Sequence, residues 1–118
     1  MNQSQIEALL PLPEATFHIL MALADSDRHG YGIILDVSER TGGRVKLAAG
    51  TLYRSIQRMQ EQGLIVETGD RPTVGRDDER RRYYRITSFG RAVARAEMGR
   101  LARLVKLARA RGFVPEKA

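Results

Sequence analysis

The sequence has no cysteine and no tryptophan, only two histidines, and no long apolar run. The lack of cysteine excludes disulfides, thiolate chemistry and cysteine-based metal sites, and it fits a reducing cytoplasm. Two isolated histidines do not supply the ligand cluster of a metal site, so we expect neither metal nor cofactor. No stretch approaches the roughly 18 apolar residues of a membrane span, and residues 1–12 do not read as a signal peptide.

Arrangements that carry catalysis are missing too. His18 lies in a predicted helix of apolar residues, and the other histidine, His29, is better explained as a structural hydrogen-bonding residue. No carboxylate pair, Ser-His-Asp order or Gly-rich phosphate loop is present. We therefore expect a protein that is not an enzyme.

What is present is an uneven distribution of charge along a chain of one-domain length. The chain has 118 residues, 42% of them apolar, and a net charge of +6, which suits one folded core. Residues 1–79 hold 8 Lys/Arg against 12 Asp/Glu, whereas residues 80–118 hold 12 against 2. The balance of −4 in the first part and +10 in the second indicates a polyanionic partner.

The spacing of apolar residues, together with the proline and glycine residues that end helices, predicts four helices. They cover residues 4–10, a segment that starts near Pro13, residues 31–41 and residues 50–62. In the second helix the predicted buried face is formed by Phe17, Leu20, Met21 and Ala24. Residues 25–30 read as a turn, and residues 45–47 as a very short strand. In the fourth helix Leu52, Ile56 and Met59 form the apolar line.

Two predicted strands, residues 64–66 and 82–86, flank a charged loop at 68–81, which predicts a hairpin with an extended tip, a wing. Together with the preceding helices this order is a winged helix-turn-helix, in which the second helix of the pair enters the DNA major groove. We therefore predict a mainly α protein with a small β-hairpin and a duplex DNA partner. The candidate DNA-binding residues lie on the fourth helix and the wing: Gly50, Thr51, Tyr53, Arg54, Ser55, Arg58, Arg71, Arg76, Arg81 and Arg82.

Two alternatives stay open at these positions. The arginines of the fourth helix could be a solvated helix face, and which of Arg54 and Arg58 reads a base is not decided by spacing. In the wing, acidic residues could pair with the neighbouring arginines and lower the positive electrostatic potential there. These acidic residues are Asp70, Asp77, Asp78 and Glu79.

The last predicted helix, residues 88–111 with Thr87 as its N-cap, carries a heptad seam. We predict that this seam is covered by a second copy of the chain, giving domains 1–86 for DNA binding and 87–118 for dimerisation. Packing against the chain's own first helix is the alternative. The seam residues are Ala94, Met98, Leu101, Leu104, Val105 and Ala108.

A different class of function also fits the basic last helix. Its cationic residues could attract acidic lipids or a protein partner without sequence-specific DNA binding. They could equally be the solvated face of a dimer helix. The residues concerned are Arg91, Arg95, Arg103, Lys106 and Arg109.

Four short motifs in order resemble the PadR family of bacterial transcriptional regulators. They are His29-Gly30-Tyr31-Gly32-Ile33, Gly50-Thr51-Leu52-Tyr53, Gly63-Leu64-Ile65, and Arg82-Tyr83-Tyr84-Arg85-Ile86-Thr87 with Gly90. The resemblance covers about residues 12–110 and is closer to the shorter members, which have a single C-terminal helix. In family members the residue after the Gly-Thr-Leu-Tyr tyrosine is often proline, whereas this chain has Arg54.

The resemblance implies a cytoplasmic, bacterial, homodimeric repressor at a palindromic promoter operator, nucleoid-associated through its DNA. It also implies release by a small-molecule effector or a stress signal in many members. By position it assigns Thr51, Tyr53 and Arg54 to the major groove. Within the motifs we expect Tyr31 to pack inward, the glycines beside it to allow close approach, and one of Tyr83 and Tyr84 to face the core.

Overall fold

The computed structural model describes residues 2–73 and 76–113, with the side chains of residues 70–80 left out. The elements in chain order are α1 (Gln3–Glu7), α2 (Glu14–Ala22), β1 (Arg28–His29), α3 (Gly30–Arg40), α4 (Ala49–Glu61), β2 (Ile65–Thr73), β3 (Arg76–Ile86) and α5 (Ser88–Ala110). The predicted mainly helical fold with a winged helix-turn-helix is confirmed.

The core lies where α2, α3 and α4 meet. The predicted line Leu52, Ile56 and Met59 is buried on α4, because residues spaced 4 and 3 apart share one face of a helix. It packs with Ile33 and Val37 of α3 in a single cluster. The opposite face of α4 is thereby turned to solvent.

The face that α2 buries differs from the prediction. Its buried residues are Thr16, Ile19, Leu20 and Ala22, whereas Met21 is exposed and Phe17 packs only partly against the core. The helix contains more apolar residues than one face can hold, so the pattern alone did not select the buried set. Thr16 was not predicted to be buried, because the predicted face included only apolar residues and threonine carries a hydroxyl.

The wing is longer and more regular than predicted. Residues 68–81 were expected to form a loop, but β2 and β3 pair antiparallel across most of this span. Backbone pairing can sustain a two-stranded ribbon of polar residues whose pattern shows no buried face. An irregularity between Glu67 and Gly69, with Gly69 at φ +107°, shifts the register as a bulge does.

Two short segments were also assigned wrongly. The expected turn at residues 25–30 contains β1, which pairs with β3 through Arg28↔Tyr84 and His29↔Tyr83. The sheet therefore has three strands in the order β1-β3-β2. Residues 45–47 form no strand, because their alternation has no adjacent strand to pair with.

The start of α5 is fixed to the turn between α4 and β2. Thr87 caps α5 by accepting a hydrogen bond from the Gly90 amide at 2.9 Å, as predicted, and its hydroxyl donates to the Gly63 carbonyl at 2.7 Å. Gly90 packs so closely on the Leu64 carbonyl that a Cβ there would overlap the oxygen. This anchoring joins the wing, the end of α4 and the C-terminal helix into one unit.

The N-terminal segment is fixed to α5 by a buried carboxylate. Glu97, whose side chain is only 3% exposed, accepts a hydrogen bond from the Leu12 amide at 3.0 Å. It also accepts one from Arg100 Nη2 at 3.0 Å. Hydrogen bonding from Arg100, more than any other contact, lowers the pKa of Glu97 against the opposing effect of burial.

Candidate nucleic-acid interface

The exposed face of α4 carries the predicted recognition residues. Gly50, Tyr53, Arg54 and Arg58 are exposed and Thr51 and Ser55 are half-buried. Ala48 is the N-cap residue and makes no side-chain capping bond. The first-turn amides of α4 therefore remain available to an anion, where the helix dipole also favours negative charge.

Arg54 and Arg58 differ in their surroundings from three arginines of other elements. Arg40 bonds Asp36 at 2.8 Å, Arg28 lies 3.3 Å from Asp36, and Arg85 bonds Asp27 with two nitrogens at 3.1 and 2.9 Å. Those carboxylates raise the pKa of Arg40 and of Arg85 through hydrogen bonds first and charge second.

Neither Arg54 nor Arg58 forms an ion pair within the described part of the chain. The contact of Arg54 that comes nearest to a hydrogen bond joins its Nη2 to Thr51 Oγ1 at 3.5 Å. The aspartates thus pair with Arg28, Arg40 and Arg85, whereas the charges of the two α4 arginines are not balanced by a nearby carboxylate. A solvated helix face also accounts for this exposure, so it is the position of Arg54 in the first turns of α4, near the free amides, that favours contact with an anion.

A cleft of about 300 Å³ separates α4 from the wing. Its lining residues are His29, Gly30, Tyr31, Tyr53, Arg81, Arg82 and Tyr84. Tyr53 contacts Gly30 so closely that a Cβ at position 30 would overlap its ring. The expected close approach at this glycine is therefore present, and it positions Tyr53 at the edge of α4.

Tyr31 does not pack inward as expected. Its side chain is 53% exposed, and the Arg81 guanidinium carbon lies 5.6 Å from its ring centroid, within the range of a cation–π contact. The inward position is taken by Gly30, and the helix then turns Tyr31 outward. Exposed aromatic and cationic groups consequently line both walls of the cleft.

The motif residues around the cleft have clear structural roles. His29 Nδ1 accepts a hydrogen bond from the Gly32 amide at 3.0 Å and so caps α3, which confirms its predicted structural role. Tyr84 is buried, whereas Tyr83 meets the His29 ring edge-on at 5.2 Å. One tyrosine of the pair faces the core, as predicted.

The wing residues are only partly described. Arg82 lies 3.9 Å from Glu67. The side chains of Arg71 and Arg76 lie outside the described residues, as do those of Asp70, Asp77, Asp78 and Glu79. The predicted balance of charges at the tip of the wing therefore stays a prediction.

The predicted seam on α5 is accessible for most of its length. Met98, Leu101, Leu104 and Val105 are exposed, Ala108 is half-buried, and Ala94 packs partly against the core. Cover by the chain's own first helix was the alternative. Helix α5 does contact α1 and α2, but its buried residues, Gly90, Val93 and Glu97, do not belong to the seam.

Two kinds of site are not found in the part of the chain that the structure describes. No cluster of three His, Asp or Glu side chains there could hold a metal ion. No helix in this part combines the length and the apolar character needed to cross a bilayer.

Comparison with known proteins gives two relatives of clear similarity. Uncharacterized protein X of Lysinibacillus sphaericus is 37% identical over 75 residues, 63% of this chain and 65% of the relative. Transcriptional regulator Rv3488 of Mycobacterium tuberculosis is 37% identical over 89 residues, 75% of this chain and 77% of the relative. The chain thus spans just under two thirds of the Lysinibacillus protein.

A solved structure and a family profile extend this result. The structure of Bacillus subtilis PadR in complex with operator DNA matches with a TM-score of 0.61 and 19% identity. The match covers 75% of this chain and 48% of that one, so it shows a shared fold over about half of the longer protein. Residues 19–96 match the profile of the transcriptional regulator PadR-like family. The chain therefore belongs to the PadR-like family of transcriptional regulators, which are not enzymes.

Proposed function

We propose that this chain is a sequence-specific DNA-binding repressor that holds a palindromic operator as a homodimer. In this proposal residues 1–86 form the DNA-binding unit and residues 87–118 the dimerisation helix. The protein acts in the cytoplasm, associated with the nucleoid, and a small molecule or a stress signal releases it from DNA.

The observation that carries the proposal is the uncompensated charge on α4. Arg54 and Arg58 are exposed and have no carboxylate partner among the described residues. Arg40 and Arg85, by contrast, are paired with aspartates. A cation without a partner at a helix N-terminus suits phosphate or guanine, since guanidinium forks match both. The operator complex of the Bacillus subtilis relative gives the same fold a DNA ligand.

The apolar row on α5 supports the homodimer. Leu101, Leu104 and Val105 are between 36% and 49% exposed and follow a heptad seam, which a second copy of the helix would cover. A two-fold dimer would present two copies of α4 to half-sites about 34 Å apart, one turn of DNA. This spacing is the geometric basis for a palindromic operator.

Selection of bound sites from random duplex DNA by the wild-type protein tests the proposal. We expect a palindrome that also occurs in the promoter of the chain's own gene, with affinity retained near 150 mM salt beyond the nonspecific range of roughly 10⁻⁴ to 10⁻⁶ M. Failure to enrich any sequence, together with tight binding to anionic vesicles, would instead support a membrane-surface module.

The variant Arg54→Ala tests the role of α4. If Arg54 reads a base, operator binding should weaken by about 1–3 kcal/mol and discrimination at one base pair should relax. Arg103→Ala is the matched control, because it removes the same charge from an exposed position on α5. Unchanged operator affinity of Arg54→Ala in a fluorescence titration would contradict the assignment.

A further inference from the structure

Thr16 presents an unusual buried group. The residue is only 6% exposed, yet its hydroxyl makes no hydrogen bond to any residue that the structure describes. Burying a hydroxyl without a partner destabilises the folded state. A group of this kind calls for an explanation beyond stability.

The Thr16 side chain lines a cleft between α2 and α4, here called the α2–α4 cleft. The cleft has a volume of about 200 Å³ and is lined by Pro13, Thr16, Thr51, Arg54, Ser55 and Arg58. Every polar side chain in this set can donate a hydrogen bond, and none is a carboxylate. The cleft therefore has the chemistry of an anion site.

The backbone of α2 adds donors at the same place. Pro13 is the N-cap residue of α2 and supplies no capping side chain, so the first-turn amides have no such acceptor. Glu14 is the acidic residue of this turn, and its carboxylate lies 3.5 Å from His18 Nε2. Because Glu14 is not among the lining residues, the polar lining itself carries positive charge only.

We propose that the α2–α4 cleft holds one phosphate of the DNA backbone, with the Thr16 hydroxyl as a donor and Arg58 as the counter-charge. The inference rests on the proposed DNA-binding function and deepens it. It assigns to Thr16, Ser55 and Arg58 the role of positioning the protein on the DNA backbone. The Thr16 hydroxyl would then serve DNA binding while lowering the stability of the DNA-free protein. Phosphate contacts fix the register of a protein on duplex DNA but do not read its sequence.

Thr16→Val separates the two roles of this residue, because valine keeps the branched shape and removes the hydroxyl. We expect an unchanged or higher melting temperature together with about tenfold weaker binding of the selected operator. The loss should be the same on an unrelated duplex of equal length. Thr16→Ser is the matched control: it keeps the hydroxyl and should retain wild-type affinity, even though it removes a buried methyl group.

Two measurements keep the test independent of how the buried variants fold. Arg58→Ala, at an exposed position, should weaken binding uniformly across sequences and reduce the salt slope by about 1. Operators with a single neutral methylphosphonate, scanned along each strand, should contain one position per half-site at which the wild-type protein loses affinity and Thr16→Val loses less, because only its Arg58 contact remains to be lost.

The outcomes separate this inference from the function on which it rests. If the wild-type protein selects no duplex, the proposed function itself is wrong. If it binds its operator and Thr16→Val binds equally well, the phosphate assignment of Thr16 is overturned and DNA binding stands. Sequence-dependent losses for Arg58→Ala would likewise overturn the backbone role of Arg58.

Discussion

The two halves of α5 share one heptad seam but have different surroundings. In residues 88–100 the helix turns Gly90, Val93 and Glu97 into the core, and Ala92 and Ala96 pack beside them. In residues 101–110 no side chain is buried, and Leu101, Leu104, Val105 and Leu107 are 36–64% exposed.

This difference shows that a helical pattern predicts an apolar face but not what covers it. The heptad spacing runs through both halves, yet the buried residues of α5 all lie in the first. Single exposed apolar residues are common on protein surfaces, whereas a continuous row of them marks an interaction surface. The second half of α5 is therefore where we expect the partner copy, and the predictions below test what each half contacts.

The largest effect is expected from a charge in the second half. Val105→Asp should convert a dimer to a monomer at micromolar concentration by light scattering, because an aspartate cannot be buried in an apolar seam. Operator affinity should fall by about 100-fold, since the two half-sites are then no longer bound together. Leu107→Asp is the matched control, two residues away and off the seam, and should remain a dimer. Monomeric wild-type protein would contradict the homodimer.

Glycines in the two halves provide a second contrast. A Cβ at Gly90 would overlap the Leu64 carbonyl oxygen, whereas a Cβ at Gly99 would meet only Arg103 Nη1 at 3.5 Å. Gly90→Ala should lower the free energy of unfolding by about 1–3 kcal/mol, because the anchor of α5 must shift. Gly99→Ala should raise it by about 0.5–1 kcal/mol through helix propensity.

Urea denaturation at one fixed protein concentration measures both glycine variants. An unchanged or higher free energy of unfolding for Gly90→Ala would mean that Gly90 is not an anchoring contact. The sign of the difference, rather than its size, decides the test.

The same contrast explains what sequence alone could predict. Leu52, Ile56 and Met59 were predicted correctly because a 3.6-residue period gives one face and that face is buried. The anchoring of α5 could not be predicted, because the contact of Gly90 with Leu64 joins two elements through backbone atoms. The spacing of apolar residues along the sequence cannot reveal a contact that involves no side chain.

At the candidate DNA interface, the sequence predicted which side chains of α4 are exposed, but it did not predict which residues of other elements lie beside them. The exposed arginines of α4 follow from its apolar line, since the remaining positions must face out. Thr16 was not identified from the sequence, because a threonine in a helix gives no sign of being buried. Its proximity to Ser55 and Arg58 arises from the packing of α2 on α4. The extended wing was missed because its polar strands bury no face.

The last prediction concerns the buried carboxylate of Glu97, which ends the covered half of α5. In Glu97→Gln the Leu12 amide keeps an acceptor, but the charged bond with Arg100 is lost, which should cost about 1–2 kcal/mol. Because the folded pKa of Glu97 lies below its ordinary value, its stabilisation is complete above about pH 4.3 and is lost as pH falls through the lowered pKa. Stability measured by urea denaturation from pH 7 to pH 3 should therefore fall more steeply for the wild type than for Glu97→Gln. Parallel curves would mean that Glu97 contributes equally to stability in both protonation states. The attachment of the N-terminal segment to α5 would then depend on packing alone.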